Sequence, residues 1–406
     1  MLKVFGEMKG LPLKAGQMLS YIDEIIPEAH RHIYNDMLGQ LQMHTPAMDW
    51  PVVEEIFEED FMGSGPMELF RDFDPEPIAA ASIGQVYHAV LHDGTEVAVK
   101  VQYPGVAEAI TSDIENLEVL VSAMSHVMPR SDFSHFVEDI TRRILEECDY
   151  ERELRNQRDF YYCWLDDDVI HVPRVFEELS KPRVLVSEFI HALEWKEMLE
   201  TSGAALKSHY GQTIFRFVFQ SLFKYGMFNG DPHPGNYLFH PDGRITFIDF
   251  GLVQRYPKEQ AEAFETLRDA VLAGAQGEGF RRLVHTVFGV PEDLDEEMEG
   301  LLADYLDLTF EPVTSKQPYR FTREYSRKLL QKGMDAKMVM TKKLLSGKQA
   351  YPLDLERADG GIAFLGRINF GLGSILTTLD TEADFRALLT EDGGGDGLGD
   401  GGDPTP

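Results

Sequence analysis

The stretch Asn229–Gly251, NGDPHPGNYLFHPDGRITFIDFG, decides how this chain is read. It holds two short apolar runs, Tyr237–Phe239 and Ile245–Ile248, separated by Pro241-Asp242-Gly243. Short apolar runs flanking a turn signal predict a β-hairpin. Such a hairpin brings Asp231 and Asn236, which precede its first strand, close to Asp249, which follows its second. Two carboxylates and a carboxamide converging from two loops make an oxygen-rich site suited to Mg²⁺. Kinases arrange phosphoryl transfer in this way, with one Asp at the nucleophile and the Asn and second Asp on metal. Asp-Phe-Gly alone is a common tripeptide. The order Asp-x4-Asn, hairpin, Asp-Phe-Gly is much rarer.

Upstream, Glu96–Gln102 (EVAVKVQ) alternates like a half-buried strand and carries Lys100 among apolar residues. A lysine there is costly unless its charge is paired. The V-A-I-K-like pattern supplies partners, namely nucleotide phosphates and a helix carboxylate. The segment before it, Ile78–Tyr87 (IAAASIGQVY), departs from the Gly-rich loop of kinases. Alanines stand where glycines are usual, and Gly84 alone keeps full backbone freedom. Such a loop cannot drape over phosphates in the same manner.

Together, Lys14-Ala15-Gly16-Gln17, the Ala79–Tyr87 loop, Val97–Val106 (VAVKVQYPGV), Glu147–Glu153 (ECDYERE) and the Asn229–Gly251 stretch resemble the UbiB/AarF/ADCK family of atypical kinases. The match runs from about Lys14 to about Gln254, with a looser helical remainder to about Leu389. The resemblance implies an α+β, bilobal protein-kinase-like fold with an N-terminal helical KxGQ extension and a mainly helical C-lobe. It implies ATP or ADP with Mg²⁺, and a role in ubiquinone and isoprenoid-lipid metabolism. Residue by residue, Lys100 would hold the α/β-phosphates and Asp231 would orient or deprotonate the nucleophile. Asn236 and Asp249 would bind Mg²⁺. The loop Ala79, Ala80, Ala81, Ser82, Ile83 and Gly84 would cover the nucleotide. Ser187 falls at the gatekeeper position, so the backbone from Glu188 to Ile190 would bind adenine. Lys14, Gln17, Glu147 and Asp149 would form a family-specific gate over the site. Glu153 is taken as the partner of Lys100, with Glu147 in reserve, because sequence alone leaves that choice open.

Residues 133–160 show helical apolar spacing at Phe136, Ile140, Ile144 and Cys148. Glu147 with Glu151, and Asp149 with Glu153, are four apart and form neighbouring acidic ridges. Asn229 stands where protein kinases carry His, and His233 reads as a packing residue without a catalytic role. After Asp-Phe-Gly the chain passes almost directly into a helical pattern at Pro257-Lys258-Glu259-Gln260. No Ala-Pro-Glu or activation segment is visible, which disfavours a peptide substrate.

At 406 residues and 43% hydrophobic, the chain suits two lobes plus extensions. Its net charge of −31 argues against nucleic-acid binding and against broad adhesion to anionic membranes. Cys148 and Cys163 read as reduced, partly buried thiols in a cytoplasmic protein. No signal peptide or apolar run long enough for a membrane span is visible. The expected organisation is a helical extension over 1–75, an N-lobe over 76–190, a C-lobe over 191–390 and a disordered acidic Gly-rich tail over 391–406. Strands are expected near 78–90, 95–102, 170–177 and 183–190, with helices over 106–128 and 133–164.

One stretch, Arg320–Lys348, reverses the acidic trend, with Arg323, Arg327, Lys328, Lys332, Lys337, Lys342 and Lys343 among apolar residues. A core-packed helix with a solvated basic face is preferred there. Peripheral membrane contact, or receipt of a lipid head group, is the sharper alternative; a lipid or quinone-precursor ligand is a partner that the resemblance alone implies. The function expected is an Mg²⁺-dependent ATPase or small-molecule or lipid kinase. A nucleotide-binding pseudokinase scaffold regulating partner enzymes is the alternative, and a protein Ser/Thr kinase is least favoured.

Overall fold

The computed structural model describes residues 48–81, 83–106, 108, 146, 148–290, 294–346 and 367–390. Lys14 and Gln17, Ser82, Glu147, nearly all of the helix expected over 106–128 and the tail 391–406 lie outside the described residues. The chain divides into two compact units. One comprises residues up to Arg158 with Pro173–Ile190, and the other Asp159–Val172 with the residues from His191.

The first unit is built on antiparallel strands β1 (Asp72–Phe73), β2 (Ala79–Ala80), β3 (Gly84–Val90), β4 (Glu96–Gln102) and β6 (Val184–Glu188). They are ordered β1-β3-β4-β6, with β2 also paired to β3. The expected strand over 78–90 is therefore broken by a turn between Ala80 and Gly84. Alternation along β3 and β4 turns Tyr87, Ala89, Val97, Val99 and Val101 into one core. Helix α1 (Trp50–Asp60) covers that face with Val53, Ile56 and Phe57, spaced for one helical stripe. A short helix α2 (Pro66–Leu69) leads into β1. Arg183, just before β6, ties α1 down by meeting Asp60 at 2.6 Å and Glu59 at 2.8 Å.

Helix α3 (Tyr150–Cys163) begins in this unit and ends in the other. The expected strand over 170–177 is corrected to a two-residue strand, β5 (Ile170–His171), paired in parallel with β9 (Ile245–Phe247) of the second unit. Pro173 and the bridge of Val175 to Ser187 return the chain to the first unit. A proline in the middle of the predicted run ends the ladder there.

The second unit is organised around helix α5 (Ala204–Tyr225), reached through α4 (Trp195–Thr201). Tyr210, Ile214, Phe217, Val218 and Leu222 of α5 are buried in its core. Gly226 ends α5 in the left-handed region at φ 61°, where glycine carries no Cβ penalty. The chain then enters β7 (Met227–Asn229), which pairs with β10 (Val253–Arg255). Between these strands lies the predicted hairpin, β8 (Tyr237–Phe239) with β9, in the register Tyr237↔Phe247. Around this base pack α6 (Lys258–Leu272), α7 (Glu278–Phe288), α8 (Glu296–Thr314), α9 (Arg323–Ser346), α10 (Gly373–Thr378) and α11 (Phe385–Thr390), together with the β11 (Tyr319–Arg320) and β12 (Glu382–Ala383) pair. Among the described residues no helix is long and apolar enough to cross a membrane.

Asp167 joins the β5 segment to α5. It accepts from Arg216 at 2.7 and 2.8 Å and from the Val169 and Ile170 amides at 3.0 and 2.8 Å. Burial opposes its charge, but the Arg216 and backbone donors outweigh that and hold the carboxyl below the usual aspartate range. The stabilisation is present above the unfolded-state aspartate pKa and is lost as pH falls through the lower folded value. Asp167→Ala should cost about 3 kcal/mol in denaturant unfolding at neutral pH. The difference from the native chain should shrink as acid titrates this group.

Candidate functional site

In the first unit the β3–β4 register sets Lys100 opposite Val86 on one side and Leu185 on the other. Its ammonium reaches Glu153 of α3, donating to both carboxylate oxygens at 2.8 Å. Glu153 is 3% exposed on its side chain and Lys100 19%. Lys100 also lies 5.0 Å from the Tyr150 ring centroid, so one turn of α3 supplies both a carboxylate and a π-face. The acidic motif is anchored from the strand as well, since Gln102 Nε2 donates to the Cys148 carbonyl at 2.9 Å. Asp149 accepts from the Arg152 amide at 2.9 Å and so caps α3, a structural task for a residue also expected at the gate.

The alanine-rich loop folds as a tight turn. Ala79 and Ala80 pair with Val86 and Gln85, and the Ala81 amide donates to the Gly84 carbonyl at 2.9 Å. Ala79 and Ala80 are exposed, whereas Ile83 is buried with Val106, Tyr150, Leu154, Val175 and Leu185. The Ile83 carbonyl accepts from the Tyr103 amide. Ile83 therefore fastens the loop to the core, and its side chain is unavailable to a ligand. Gly84 is required by close approach, because a Cβ there would stand 2.2 Å from the Val101 carbonyl oxygen. At the end of β6, the Glu188 amide donates to the Arg174 carbonyl and the Phe189 amide to the Glu96 carbonyl.

In the second unit the strands β7 and β10 set Asn229 opposite Val253. Asn229 is 9% exposed, and its side chain spans two loops. Nδ2 donates to the Asp249 carbonyl at 2.8 Å, while Oδ1 accepts from the Asp231 amide at 3.3 Å. Asn236 sits at the end of a 3₁₀ turn, Pro234–Asn236, and donates Nδ2 to the Asp231 carbonyl at 3.0 Å and to Asp231 Oδ2 at 3.3 Å. Its own carbonyl accepts from the Ile248 amide, one residue before Asp249. Asp249 Oδ1 accepts from the Gly251 amide at 3.0 Å, and Phe250 is fully buried against Phe160. Asp231, Asn236 and Asp249 are thus bound into one network. His233 is exposed, and its Nδ1 accepts from the Gly235 amide to cap the 3₁₀ turn, a local role and not the packing expected of it.

Sequence reading passed over the role of Asn229, treating it only as a departure from the kinase histidine. The signal was its place at a strand end, two residues before the loop aspartate. Neither Cys148 nor Cys163 forms a disulfide, and burial, with Asp159 nearby, pushes the Cys163 thiol up to about 11.

Gly84→Ala should lower stability by about 1–3 kcal/mol, read by thermal unfolding, because a backbone carbonyl cannot yield to the added carbon. Asn229→Ala should cost about 1–3 kcal/mol and speed hydrogen exchange at the Asp231 amide. Unchanged exchange there would remove Asn229 from the loop-bridging role.

A family profile described as the ABC1 atypical kinase-like domain matches residues 40–276. The chain is 30% identical over 328 residues to the mitochondrial atypical kinase coq-8 of Caenorhabditis elegans, covering 78% of this chain and 42% of that protein. It is 35% identical over 254 residues to the mitochondrial atypical kinase COQ8B of Danio rerio, covering 62% of this chain and 40% of that one. Against AarF domain-containing protein kinase 1 of Mus musculus the identity is 33% over 261 residues, covering 62% and 48%. The chain spans less than half the length of these three relatives. Among solved structures, the Mycobacterium tuberculosis protein Rv3197, determined as an erythromycin complex, matches with a TM-score of 0.67 and 28% identity. That match covers 96% of this chain and 93% of that one. The kinase-like α+β fold, the ordered motifs and the profile match agree, and this chain belongs to the ABC1 atypical kinase-like family, the UbiB family.

Proposed function

We propose that this chain is an ATP-dependent atypical kinase-like enzyme. It would act as an Mg²⁺-dependent ATPase or as a small-molecule or lipid phosphotransferase supporting ubiquinone or related isoprenoid-lipid metabolism. The observation that carries this reading is the Lys100–Glu153 pair, with both carboxylate oxygens at 2.8 Å from an ammonium in mid-strand. Such a pair pre-positions a cation for the α/β-phosphates of a nucleotide.

The donor chemistry of the second unit fits Mg²⁺. Asn236 directs Nδ2 at Asp231, so its Oδ1 is the atom left to meet a hard cation, with the Asp249 carboxylate as the second proposed ligand. Bound there, Mg²⁺ would neutralise phosphate charge and favour in-line displacement. Asp231 would orient the attacking hydroxyl or water and accept its proton, held in place by Asn229 and Asn236. An adenine edge would draw on the Glu188 carbonyl and the Ile190 amide, since the Glu188 and Phe189 amides are directed elsewhere. The loop Ala79–Gly84, with Ser82, would lie over the nucleotide. Lys14, Gln17, Glu147 and Asp149 would gate entry.

A small or lipid substrate is favoured over a peptide because β10 and α6 follow Gly251 at once. The scaffold alternative draws on the Ala81–Gly84 turn, which is closed by its own hydrogen bond and lacks the glycines of a mobile phosphate loop. Peripheral membrane contact would use α9, where Met338 is 65% exposed. On that helix Lys328 pairs with Glu324 and Lys332 with Asp304, which reduces its free positive charge. The proposed location is therefore the cytoplasm, with peripheral membrane contact through α9 as the alternative; among the described residues no helix is long and apolar enough to span.

ATP turnover with Mg²⁺ should fall about 10²-fold or more in Asp249→Asn, while nucleotide is still bound. Stimulation of native turnover by liposomes would point to the membrane as its workplace. Equal turnover in both proteins would overturn the enzyme assignment. Tight nucleotide binding by a native chain that does not turn over would select the scaffold.

A further inference from the structure

The helical unit contains an apolar cavity of about 110 Å³, partly open to solvent, which the proposed chemistry does not use. Phe215 and Leu222 of α5, Phe264 of α6, Val313 of α8, Phe321 and Leu376 contribute to its wall. Protein interiors rarely leave voids much larger than a water molecule. An apolar cavity of about 150 Å³ stays dry and accepts a ring such as benzene.

Two residues of one short segment give this cavity its chemistry. Asn369, 8% exposed, lines it and donates Nδ2 to the Tyr305 hydroxyl at 2.9 Å and to Thr309 Oγ1 at 2.8 Å. With both amide hydrogens committed, Oδ1 is its remaining acceptor, and among the described residues no donor meets it. Gly373 is buried on the same wall, yet among the described residues a Cβ there would have no atom within 4 Å. Space therefore reaches the backbone of α10.

The same segment adjoins the loop that carries Asp231. Arg367–Leu372 form a π-helical turn, a geometry frequent at functional sites. A Cβ on Gly371 would stand 2.4 Å from Pro232 Cγ, so the turn's backbone rests on the proline next to Asp231. Asn369 and Leu372 of the turn line the cavity while Gly371 abuts the loop.

We propose that this cavity binds a small apolar molecule carrying one N–H or O–H donor, seated with that donor on Asn369 Oδ1, and that occupancy restrains the Asp231 loop through the π-helical turn. Filling the space supports the turn from one side, and the turn supports Pro232 from the other. The coupling rests on the role proposed for Asp231, whereas the binding site stands without it.

Indole and its isostere benzofuran, which lacks the N–H, are the probes, titrated into the full chain by calorimetry. Indole should bind about tenfold more tightly than benzofuran. Asn369→Leu should erase that difference. Gly373→Leu, whose side chain has room to occupy the space, should abolish binding of both while the melting temperature and nucleotide binding are kept. Hydrogen exchange across residues 229–239 should slow with indole in the native chain and not in Gly373→Leu. Equal affinity for both probes in the native chain, or indole binding that survives Gly373→Leu, would overturn the site. Binding without slower exchange would overturn the coupling. Nucleotide binding in the same samples reports separately, since its failure would count against the enzyme reading and leave the indole result standing.

Discussion

A carboxylate as buried as Glu153 must meet a cation, and the cation it meets is a lysine in mid-strand. Much of the first unit follows from that requirement. Lys100 can reach α3 only because β4 is central in the sheet, flanked by β3 and β6. Helix α3 can present Glu153 only because Asp149 caps its start and Gln102 holds the Cys148 carbonyl. Each partner satisfies what would otherwise be an expensive buried charge or amide. The local polar groups of the site and the local stability of the sheet are therefore the same interactions.

The second unit solves a different problem, holding two acidic loops in register through a carboxamide. Asn229 does this with one carboxamide, donating to the Asp249 carbonyl and accepting from the Asp231 amide. A neutral carboxamide orders the backbone of both loops without itself adding charge to them. The apolar base beneath is made by Phe217 stacked on Phe247, with ring centroids 3.7 Å apart, and by Phe250 against Phe160. The loops are polar above and aromatic below, which positions them closely.

The network also explains why the family supports a nucleotide function more firmly than a named substrate. The groups proposed to hold phosphates and metal are Lys100, Asn236 and Asp249. What enters beside them depends on the loop over Ala79–Gly84, on the gate residues and on the helices of the second unit. The apolar cavity and the π-helical turn belong to the helices of the second unit, and at Gly371 the turn abuts Pro232.

The hairpin over Tyr237–Phe247 and the strand carrying Lys100 were legible from sequence, because turn chemistry and period-two alternation are local properties. The order of the kinase-like motifs was legible for the same reason. The strand expected over 170–177 was not, since only tertiary pairing put Ile170–His171 on β9 and returned the chain at Pro173. Gly84 was read for conformational freedom, and the structure assigns it to close contact with the Val101 carbonyl, which no local pattern encodes. Ile83 looked like part of a nucleotide loop and is a core residue, because β3 turns it toward Tyr150 and Leu185. Sequence by itself determined which chemical groups are present and roughly in which local elements. Tertiary structure decided that Glu153 meets Lys100, that Asn229 joins two loops and that a cavity lies beside the π-helical turn. Those depend on distances between residues far apart in the chain, and only packing sets such distances.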